Sequence, residues 1–419
     1  MKKWTILLLT LALLLGGCAA DPVPTTVPVQ LTEPQPTQST VTEDPGKFDV
    51  TLDLWVTEDS IWADEAAVAK LLEDFRVYYP NITVNVQHVS AAELGNDLPD
   101  LLLSDTDTLS SLAGKGELAD LTELWQGIGD AYGNAETACG LGGIYFALPL
   151  CQVVECMAIN LEQFEDAGCM DLISSASHTW SSGAFLRAAE NLSLAGVANP
   201  VSIYCKDTAG DAHTRLLVEM VSGGRFIRAQ DGACLVDSQT MRQGLTSLSQ
   251  APGVVFRRDL DAAGALEEFL AGKSAMVLNW NSALQLEHHD DGNFFYMLCP
   301  GSQPRTYAKV YGLAVCATED VRHYNASMTL AAFLRDNADA VRAAKQLPAR
   351  KSGFDAYKET ELESRMEDLS KLLSAVEKGE LPGNERENVR TEWVKLLQKI
   401  AAGEDLTLAI EACRDALAG

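Results

Sequence analysis

Apolar positions along the chain switch between a period of two and a helical period, and this predicts alternating strands and helices. Residues 50–56 alternate apolar and polar side chains and predict a strand. Residues 68–75 carry apolar side chains at helical spacing, and residues 82–86 alternate again. The apolar run at residues 101–103 predicts a third strand that is buried on both faces. Short connections between these segments favour a parallel strand–helix–strand unit.

The same alternation continues towards the C-terminus. Thr179 is predicted to be the N-cap of one helix, and a later helix is predicted to end at Gly223 and Gly224. A short buried strand is predicted over Ala275–Leu278. Helices that alternate with short strands indicate the α/β class. Because 419 residues exceed what one core of about 150 residues needs, two lobes are expected.

The composition is that of a folded, strongly acidic protein. Hydrophobic residues make up 47% and charged residues 22% of the chain, which excludes global disorder. The formal net charge is −27. A chain this acidic repels phosphate backbones, so nucleic acid is not expected as a partner.

The first 46 residues predict export and attachment to a membrane. Residues 1–17 contain two lysines followed by an apolar run that is too short to span a bilayer, and they are predicted to be a signal peptide. The segment Leu15-Gly16-Gly17-Cys18 resembles a bacterial lipobox, which implies cleavage before Cys18 and acylation of its thiol, for example with palmitate. Residues 18–46 are rich in Pro and Thr and predict an extended tether. The expected location is the outer face of the cell membrane. An ordinary signal peptide that happens to contain a cysteine is the alternative.

No motif in the sequence predicts a metal, a cofactor or a catalytic group. The sequence has no GxSxG, HExxH or CxxC pattern. Residues 288–291 (HHDD) are interpreted as a polar loop, and Gly272-Lys273-Ser274 lacks the first glycine of a phosphate-binding loop. Nine cysteines remain beside Cys18, and they are interpreted as buried small apolar side chains. A disulfide within the set Cys139, Cys151, Cys156 and Cys169 is left open.

Polar and aromatic side chains gather where the predicted strands end. In open α/β sheets, ligands bind beyond the carboxyl ends of the strands. Carboxylates and amides form hydrogen bonds with sugar hydroxyls, and an aromatic ring can cover the apolar face of a pyranose. Trp62 and Trp125 are assigned to packing instead. The residues that follow predicted strands are Trp55, Thr57, Glu58, Asp59, Ser104, Asp105, Asp107, Asn279, Trp280 and Asn281, and Lys309 and Tyr311 precede the predicted strand Leu313–Cys316.

Six short segments, in this order along the chain, resemble the carbohydrate-type branch of the extracellular solute-binding proteins (family 1), which serve ABC importers. Each segment is a weak match alone. Together, in the family's order, they indicate a resemblance that extends over nearly all of residues 48–419. The segments are Pro99–Leu102 with Leu112–Leu118, Gly143–Pro149, Met157–Asn160 with Phe164 and Gly168, Thr179-Trp180 with Phe185, Phe269–Met276, and Leu347–Ser352.

The resemblance implies a two-lobed, type II periplasmic-binding-protein-like fold, in which each lobe is a mostly parallel sheet flanked by helices. Lobe one would comprise residues 47–155 and 281–336, and lobe two residues 156–280 and 337–419. The implied protein is a monomeric, non-enzymatic, lipid-anchored subunit that captures a carbohydrate, an oligosaccharide, by hinge closure and delivers it to an ABC permease. The implied ligand-facing residues are Trp55, Thr57, Asp59, Ser104, Asp105, Gln152, Glu155, Gly224, Trp280, Tyr311 and Arg350. A sugar is expected to stack on Trp280.

Two alternatives remain at this point. The same fold could bind a solute other than a sugar, such as a polyol phosphate or a peptide, and an anionic solute would require cations such as Lys309 and Arg350. A surface hydrolase acting on glycans would require two carboxylates facing each other across the cleft.

Overall fold

The structure is a computed structural model, and it describes residues 48–57, 62–91, 94, 97–228, 233–377 and 387–417. Helices and strands alternate along these residues, so the predicted α/β class is confirmed. The predicted leader, Cys18 and tether lie outside the described residues. Every helix in the described part is too short or too polar to cross a membrane.

The strands are short except for one of thirteen residues. They are β1 (Val50–Val56), β2 (Ile82–His88), β3 (Leu101–Asp105), β4 (Gly140–Leu141), β5 (Ile144–Tyr145), β6 (Leu148–Asn160), β7 (Val201–Tyr204), β8 (Val254–Arg257), β9 (Met276–Asn281), β10 (Phe294–Met297), β11 (Ala308–Val315) and β12 (Leu347–Pro348).

The helices lie between the strands and at the C-terminus. They are α1 (Glu65–Tyr78), α2 (Thr106–Gly114), α3 (Thr122–Trp125), α4 (Gly133–Ala138), α5 (Leu161–Asp166), α6 (Ser182–Leu194), α7 (Asp211–Ser222), α8 (Gln239–Gln250), α9 (Ala262–Leu270), α10 (Ser282–Glu287), α11 (Val321–Asp336), α12 (Ala338–Ala344), α13 (Glu363–Leu369), α14 (Glu387–Ala401) and α15 (Leu406–Leu417). Short 3-10 helices cover Met170–Leu172, His289–Asp291, Lys351–Tyr357 and Ser370–Ala375.

The long strand β6 joins two groups of parallel strands into one mixed sheet. The order is β2-β1-β3-β11-β6-β9-β7-β8, with β10 and β12 also paired to β6. Strand β1 is parallel to β2 and β3, and β7 is parallel to β8 and β9. The central pairings, β11 with β3 and β6, and β9 with β6, are antiparallel. The first residues of β6 therefore belong to one group of strands and its last residues to the other.

This topology directs the carboxyl ends of both groups towards the middle of β6. Strand β6 runs in the same direction as β3, since both are antiparallel to β11. Asp105, the last residue of β3, lies level with Tyr311, which in turn pairs with Cys151 of β6. From the other side, Asn281 at the end of β9 pairs with Glu155 of β6. Ligands of α/β sheets bind at carboxyl edges, and here two such edges meet at residues 151–155.

Separate apolar clusters stabilise the two groups of strands. The first contains β1, β3 and β11 with Phe75 of α1, and the second contains β7 with α6, α7 and Trp393 of α14. A third lies around the second part of β6 and includes Trp280 and Tyr357. Trp62 and Trp125 are buried and their indole N–H groups donate to main-chain carbonyls, so the assignment of both to packing is confirmed.

Helix α12 packs with the first cluster through Ala340, Ala343 and Ala344, and Ala349 follows it there. The sequence prediction had assigned residues 337–419 to the second lobe. Helix α12 contacts α1, because its small side chains allow a close approach. Conversely, Met297 of β10, Cys299 and Tyr307 pack in the second cluster, although residues 281–336 were predicted in the first lobe. Both segments therefore lie on the other side of the predicted boundaries, and the remaining lobe boundaries stay a prediction.

Two local predictions differ from the structure. Ser181, not Thr179, is the N-cap of α6, and its Oγ accepts a hydrogen bond from the Ala184 N–H at 3.1 Å. Thr179 instead forms a short bridge with Ser174. Strand β9 continues to Asn281, three residues beyond the predicted end, so Trp280 lies inside the strand.

A tight approach between α6 and the turn before β8 predicts a large effect of one methyl group. An alanine Cβ at Gly253 would lie 2.1 Å from the Ala189 carbonyl oxygen, and Gly253 has a φ of +81°. Gly403 has a similar φ of +76° but nothing within 4 Å. We expect Gly403→Ala to lower the free energy of unfolding by about 1–2 kcal/mol, and Gly253→Ala by roughly 3 kcal/mol or more. Urea unfolding measures both, and equal losses would contradict the close approach.

Candidate functional site

The ends of β1 and β3 are fastened together at the edge of the sheet. Thr57 follows β1, and its Oγ1 donates a hydrogen bond to Ser104 Oγ of β3 at 2.5 Å. The Thr57 N–H donates to the Leu103 carbonyl. Both side chains are buried. Thr57 and Ser104 therefore fix the rim of the sheet in this structure and expose little polar surface themselves.

Asp105 and Lys309 form the charged part of this rim. Asp105 is the N-cap of α2, and its Oδ1 accepts from the N–H groups of Asp107 and Thr108 at 3.1 and 3.0 Å. Its Oδ2 accepts from Thr108 Oγ1 at 2.9 Å and lies 3.9 Å from Lys309 Nζ. The same ammonium lies 5.4 Å from the centre of the Tyr311 ring. Because a third of the Lys309 side chain is exposed, its ammonium is the accessible charge of this cluster.

The side chain of Gln152 links β6 to two neighbouring elements. Its Oε1 accepts from Asn134 Nδ2 and its Nε2 donates to the Pro348 carbonyl, both at 2.9 Å. The side chain is fully buried. Both ends of the amide are engaged in the interior, so Gln152 fastens α4 and β12 to β6 and offers no group to a ligand here.

Glu155 lies where β6 passes from the first group of strands into the second, and residues 151–155 are called the crossing point below. Its Oε2 accepts a hydrogen bond from His213 Nε2 of α7 at 2.9 Å, and its carbonyl accepts from Thr306 Oγ1. Burial alone would lower the pKa of His213. The negative charge of Glu155 and the hydrogen bond to it outweigh burial, so the pKa of His213 is raised. The pair therefore holds α7 against β6 most strongly while the imidazole is protonated.

Gly224 lies beside a charged cavity in the second half of the molecule. Its carbonyl accepts from Arg305 Nη2 at 2.9 Å, and the same nitrogen donates to Glu219 Oε2 at 2.7 Å. Arg225 makes a two-point contact with Glu377 across the cavity, which has a volume of 430 Å³. Burial raises the pKa of Glu219 despite the nearby arginines. Thr306, next to Arg305, bonds to the Glu155 carbonyl, so the segment that lines this cavity is attached to β6 at the crossing point.

Trp280 does not present a ring to a solute in this structure. It is fully buried, and its rings pack against Phe269 and Phe294 at centroid distances of 5.7 and 5.8 Å. Its Nε1 donates to Gln285 Oε1 at 2.9 Å. The prediction of a stacked sugar placed Trp280 beyond a strand end, whereas β9 continues past it into an apolar cluster.

The other predicted residues are divided between the rim and separate clusters. Trp55 is half-buried at the carboxyl end of β1, and its buried Nε1 has no hydrogen-bond partner among the described residues. Tyr311 is buried beside Asp105. Arg350 is engaged elsewhere, since its Nε donates to Asp130 Oδ1 at 3.1 Å and its Nη1 donates to the Arg335 carbonyl at 3.0 Å. Asp59 lies outside the described residues.

Sequence reasoning did not identify His213, Arg225, Arg305 or Glu219 as neighbours of the site. His213 is 58 residues from Glu155, and Arg305 is 86 residues from Glu219. No local pattern signals such pairs. The Gly223-Gly224 helix end was the one sequence signal near this cavity.

The cysteines do not form disulfides in the described chain. All nine are free thiols, and all but Cys234 are buried. The pairing left open for Cys139, Cys151, Cys156 and Cys169 is therefore absent. Burial raises the pKa of these thiols, for example that of Cys299 to about 12. Among the described residues, no group of three or more His, Cys, Asp or Glu side chains is arranged to hold a metal ion.

The His213–Glu155 pair predicts a pH-dependent contribution to stability. Because the folded-state pKa of His213 is raised above its ordinary value of about 6.5, its contribution is complete below that pH and is lost as the pH rises through the raised pKa. We expect His213→Asn to lower the free energy of unfolding more at pH 6 than at pH 9. His289→Asn, at an exposed position of the 3-10 helix His289–Asp291, is the control. Urea unfolding at both pH values measures the difference, and a pH-independent loss would contradict the ion pair.

Known proteins resemble this chain in sequence pattern and in fold. Residues 37–356 match a family model described as bacterial extracellular solute-binding protein. No curated protein sequence matches the chain.

Among solved structures, the GacH receptor of Streptomyces glaucescens, determined unliganded and with acarbose, has a TM-score of 0.64 at 16% identity and covers 88% of this chain and 98% of its own. A substrate-binding protein from Listeria monocytogenes with cycloalternan has a TM-score of 0.64 at 17% identity, with 88% and 97% covered. UgpB from Mycobacterium tuberculosis with glycerophosphocholine has a TM-score of 0.66 at 18% identity, with 88% and 98% covered. These likenesses confirm the predicted two-lobed periplasmic-binding-protein-like fold.

Proposed function

Because the chain belongs to the bacterial extracellular solute-binding proteins, we propose that it captures an oligosaccharide between its two lobes and delivers it unchanged to an ABC permease. The observation that carries this proposal is the meeting of two carboxyl edges at residues 151–155 of β6. Solved relatives of this fold that hold acarbose and cycloalternan support an oligosaccharide as the solute.

The rim around Asp105 has the hydrogen-bonding capacity that a sugar requires. A carboxylate has about four acceptor positions, and three are used by Asp107, Thr108 N–H and Thr108 Oγ1. The Lys309 ammonium adds three donors beside the position that remains. A sugar hydroxyl both donates and accepts, so one hydroxyl can bridge Asp105 and Lys309. On the other side of the crossing point, Arg305 and Glu219 supply the second set of polar contacts.

Closure of the lobes follows from contacts on both sides of β6. A solute that binds Asp105 and Lys309 alone has no preference for an open or a closed arrangement. One that also reaches the cavity at Arg305 binds the closed arrangement more tightly and shifts the population towards it. We assign residues 48–155 and 308–355 to one lobe and the remaining described residues to the other, because β10 pairs with the last residues of β6, and Met297, Cys299 and Tyr307 pack in the second apolar cluster.

Attachment to the membrane is the second part of the proposal. The family is extracellular, and the lipobox-like segment before Cys18 supports cleavage at that residue and acylation of its thiol. The protein then works as a monomer at the outer face of the cell membrane, on the Pro/Thr-rich tether of residues 18–46.

A second candidate solute is a polyol phosphate. UgpB, of the same fold, holds glycerophosphocholine, and Lys309 is a partly exposed cation at the rim. A phosphodiester would pair with Lys309, although Asp105 beside it disfavours an anion.

Solute binding is tested by thermal unfolding and calorimetry with maltotriose, acarbose and glycerophosphocholine. We expect the neutral oligosaccharide or acarbose to raise the melting temperature, because a ligand that binds only the folded state stabilises it. Lys309→Ala removes a charged hydrogen bond and is expected to weaken binding by roughly tenfold or more. Lys115→Ala, at an exposed position in the same lobe, is expected to bind like the parent. Stabilisation by glycerophosphocholine alone would favour the second candidate, and release of shorter sugars would contradict a binding protein.

The lipid anchor is tested separately by labelling cells with an alkyne analogue of palmitate. The unaltered chain is expected to incorporate the label and to remain with the membrane fraction, whereas Cys18→Ser is expected to lose both properties. Cys234→Ser, at a partly exposed thiol of the folded region, is the control and should keep the label. Membrane-bound, labelled Cys18→Ser protein would exclude acylation at Cys18.

A further inference from the structure

An apolar cavity lies within the first half of the molecule, on one face of the sheet. Its volume is 320 Å³. Leu103 of β3, Leu313 of β11 and Leu148 of β6 form its floor, and the strand register places these three side by side. Trp62 and Val341 form its wall. Asp105, Lys309 and Glu155, which carry the proposed solute site, are not among its lining residues.

The wall presents carbon rather than hydrogen-bonding groups. Trp62 is almost fully buried, and its Nε1 already donates to the Ala340 carbonyl at 3.2 Å. The indole ring therefore has no free donor for an occupant. A bound water needs two to four polar partners, and the leucine floor supplies none. The floor and wall are therefore energetically poor for water and favourable for an apolar molecule, and the polar side chains of Asn337, Ser352 and Asp355 line the rim with the charged groups.

The charged side chains at the rim of this cavity are already paired. Arg350 Nε donates to Asp130 Oδ1, and Arg350 Nη1 donates to the Arg335 carbonyl. Arg335 makes a two-point contact with Asp336, and its Nη1 donates to the Leu124 carbonyl at 2.8 Å. An anionic occupant would have to break one of these pairs, and the rim carboxylates would repel it. The rim therefore favours an uncharged occupant over an anionic one.

The size of the cavity sets the size of the occupant. An engineered apolar cavity of about 150 Å³ stays dry and binds benzene. A space of 320 Å³ is about twice as large. It matches a fused two-ring aromatic molecule or a medium-length alkyl chain.

We propose that this cavity is a second binding site of the protein, which takes a small uncharged apolar molecule independently of the solute site. The cavity is also lined by Pro149 and Leu150 of β6 and by residues of the segment that joins α11 to α12. Ala349 N–H bonds to the Leu150 carbonyl, so the chain after β12 is attached to the same part of β6. An occupant touches the strand that continues from one half of the sheet into the other.

The probe for this site is 2-naphthol, which is uncharged at pH 7, and 2-naphthalenesulfonate is its charged counterpart on the same ring. Calorimetry is expected to give one 2-naphthol per chain and binding of the sulfonate at least tenfold weaker. Val341→Trp fills the cavity and is expected to weaken 2-naphthol binding at least tenfold. Val321→Trp, at the exposed start of α11, is the control and should bind like the parent. Equal binding of both probes, or no binding of 2-naphthol, would overturn the proposal.

Two further measurements keep the test independent of folding and of the solute site. Methyl-labelled protein is expected to show intermolecular NOEs from 2-naphthol to Leu148, Leu313 and Val341, and binding without these NOEs would overturn the assignment to this cavity. Lys309→Ala is expected to bind 2-naphthol like the parent, even where it loses the oligosaccharide. A parallel loss of both ligands would show that the two sites are one.

Discussion

The backbone pairing of β6 is the constraint on which the rest of the molecule depends. Its first residues pair with β11 and β12, and its last residues pair with β9 and β10. A strand of thirteen residues at about 3.3 Å each is longer than either group of strands needs alone. The two apolar clusters are therefore connected by hydrogen-bonded strand rather than by a loose linker. In the proposed closure, the two halves would bend and twist around residues 151–155.

The polar groups near the crossing point are arranged in two different ways. Thr57, Ser104 and Gln152 are buried and are satisfied by one another, by Asn134 or by the main chain, so they hold the rim in place. Lys309 is a third exposed and lies 3.9 Å from Asp105, so its ammonium is accessible. A binding site needs both kinds, since a fixed framework reduces the entropy lost when accessible groups engage a ligand.

Much of the fold was predictable because its signals are local. The alternation at residues 50–56 and the helical spacing at residues 68–75 each depend on neighbours a few positions apart, and β1 and α1 formed where predicted. Trp280 was misplaced because an apolar strand and the residues beyond it look alike until a partner strand fixes the end. Gln152 and Arg350 looked like ligand contacts because their partners, Pro348 and Asp130, are about 200 residues away. Burial of a polar group depends on such distant partners, which one sequence does not specify.

The reactivity of the buried thiols reports local opening of the structure. Only the thiolate reacts readily with alkylating reagents, and burial both raises the pKa of these cysteines and excludes the reagent. Cys139 and Cys151 belong to the first apolar cluster, Cys205 and Cys413 to the second, and Cys156 to the third. Each region thus carries a thiol that becomes reactive only when that region opens. The alkylation rate of each cysteine, read by mass spectrometry, ranks the local stabilities of the two halves without any engineered label.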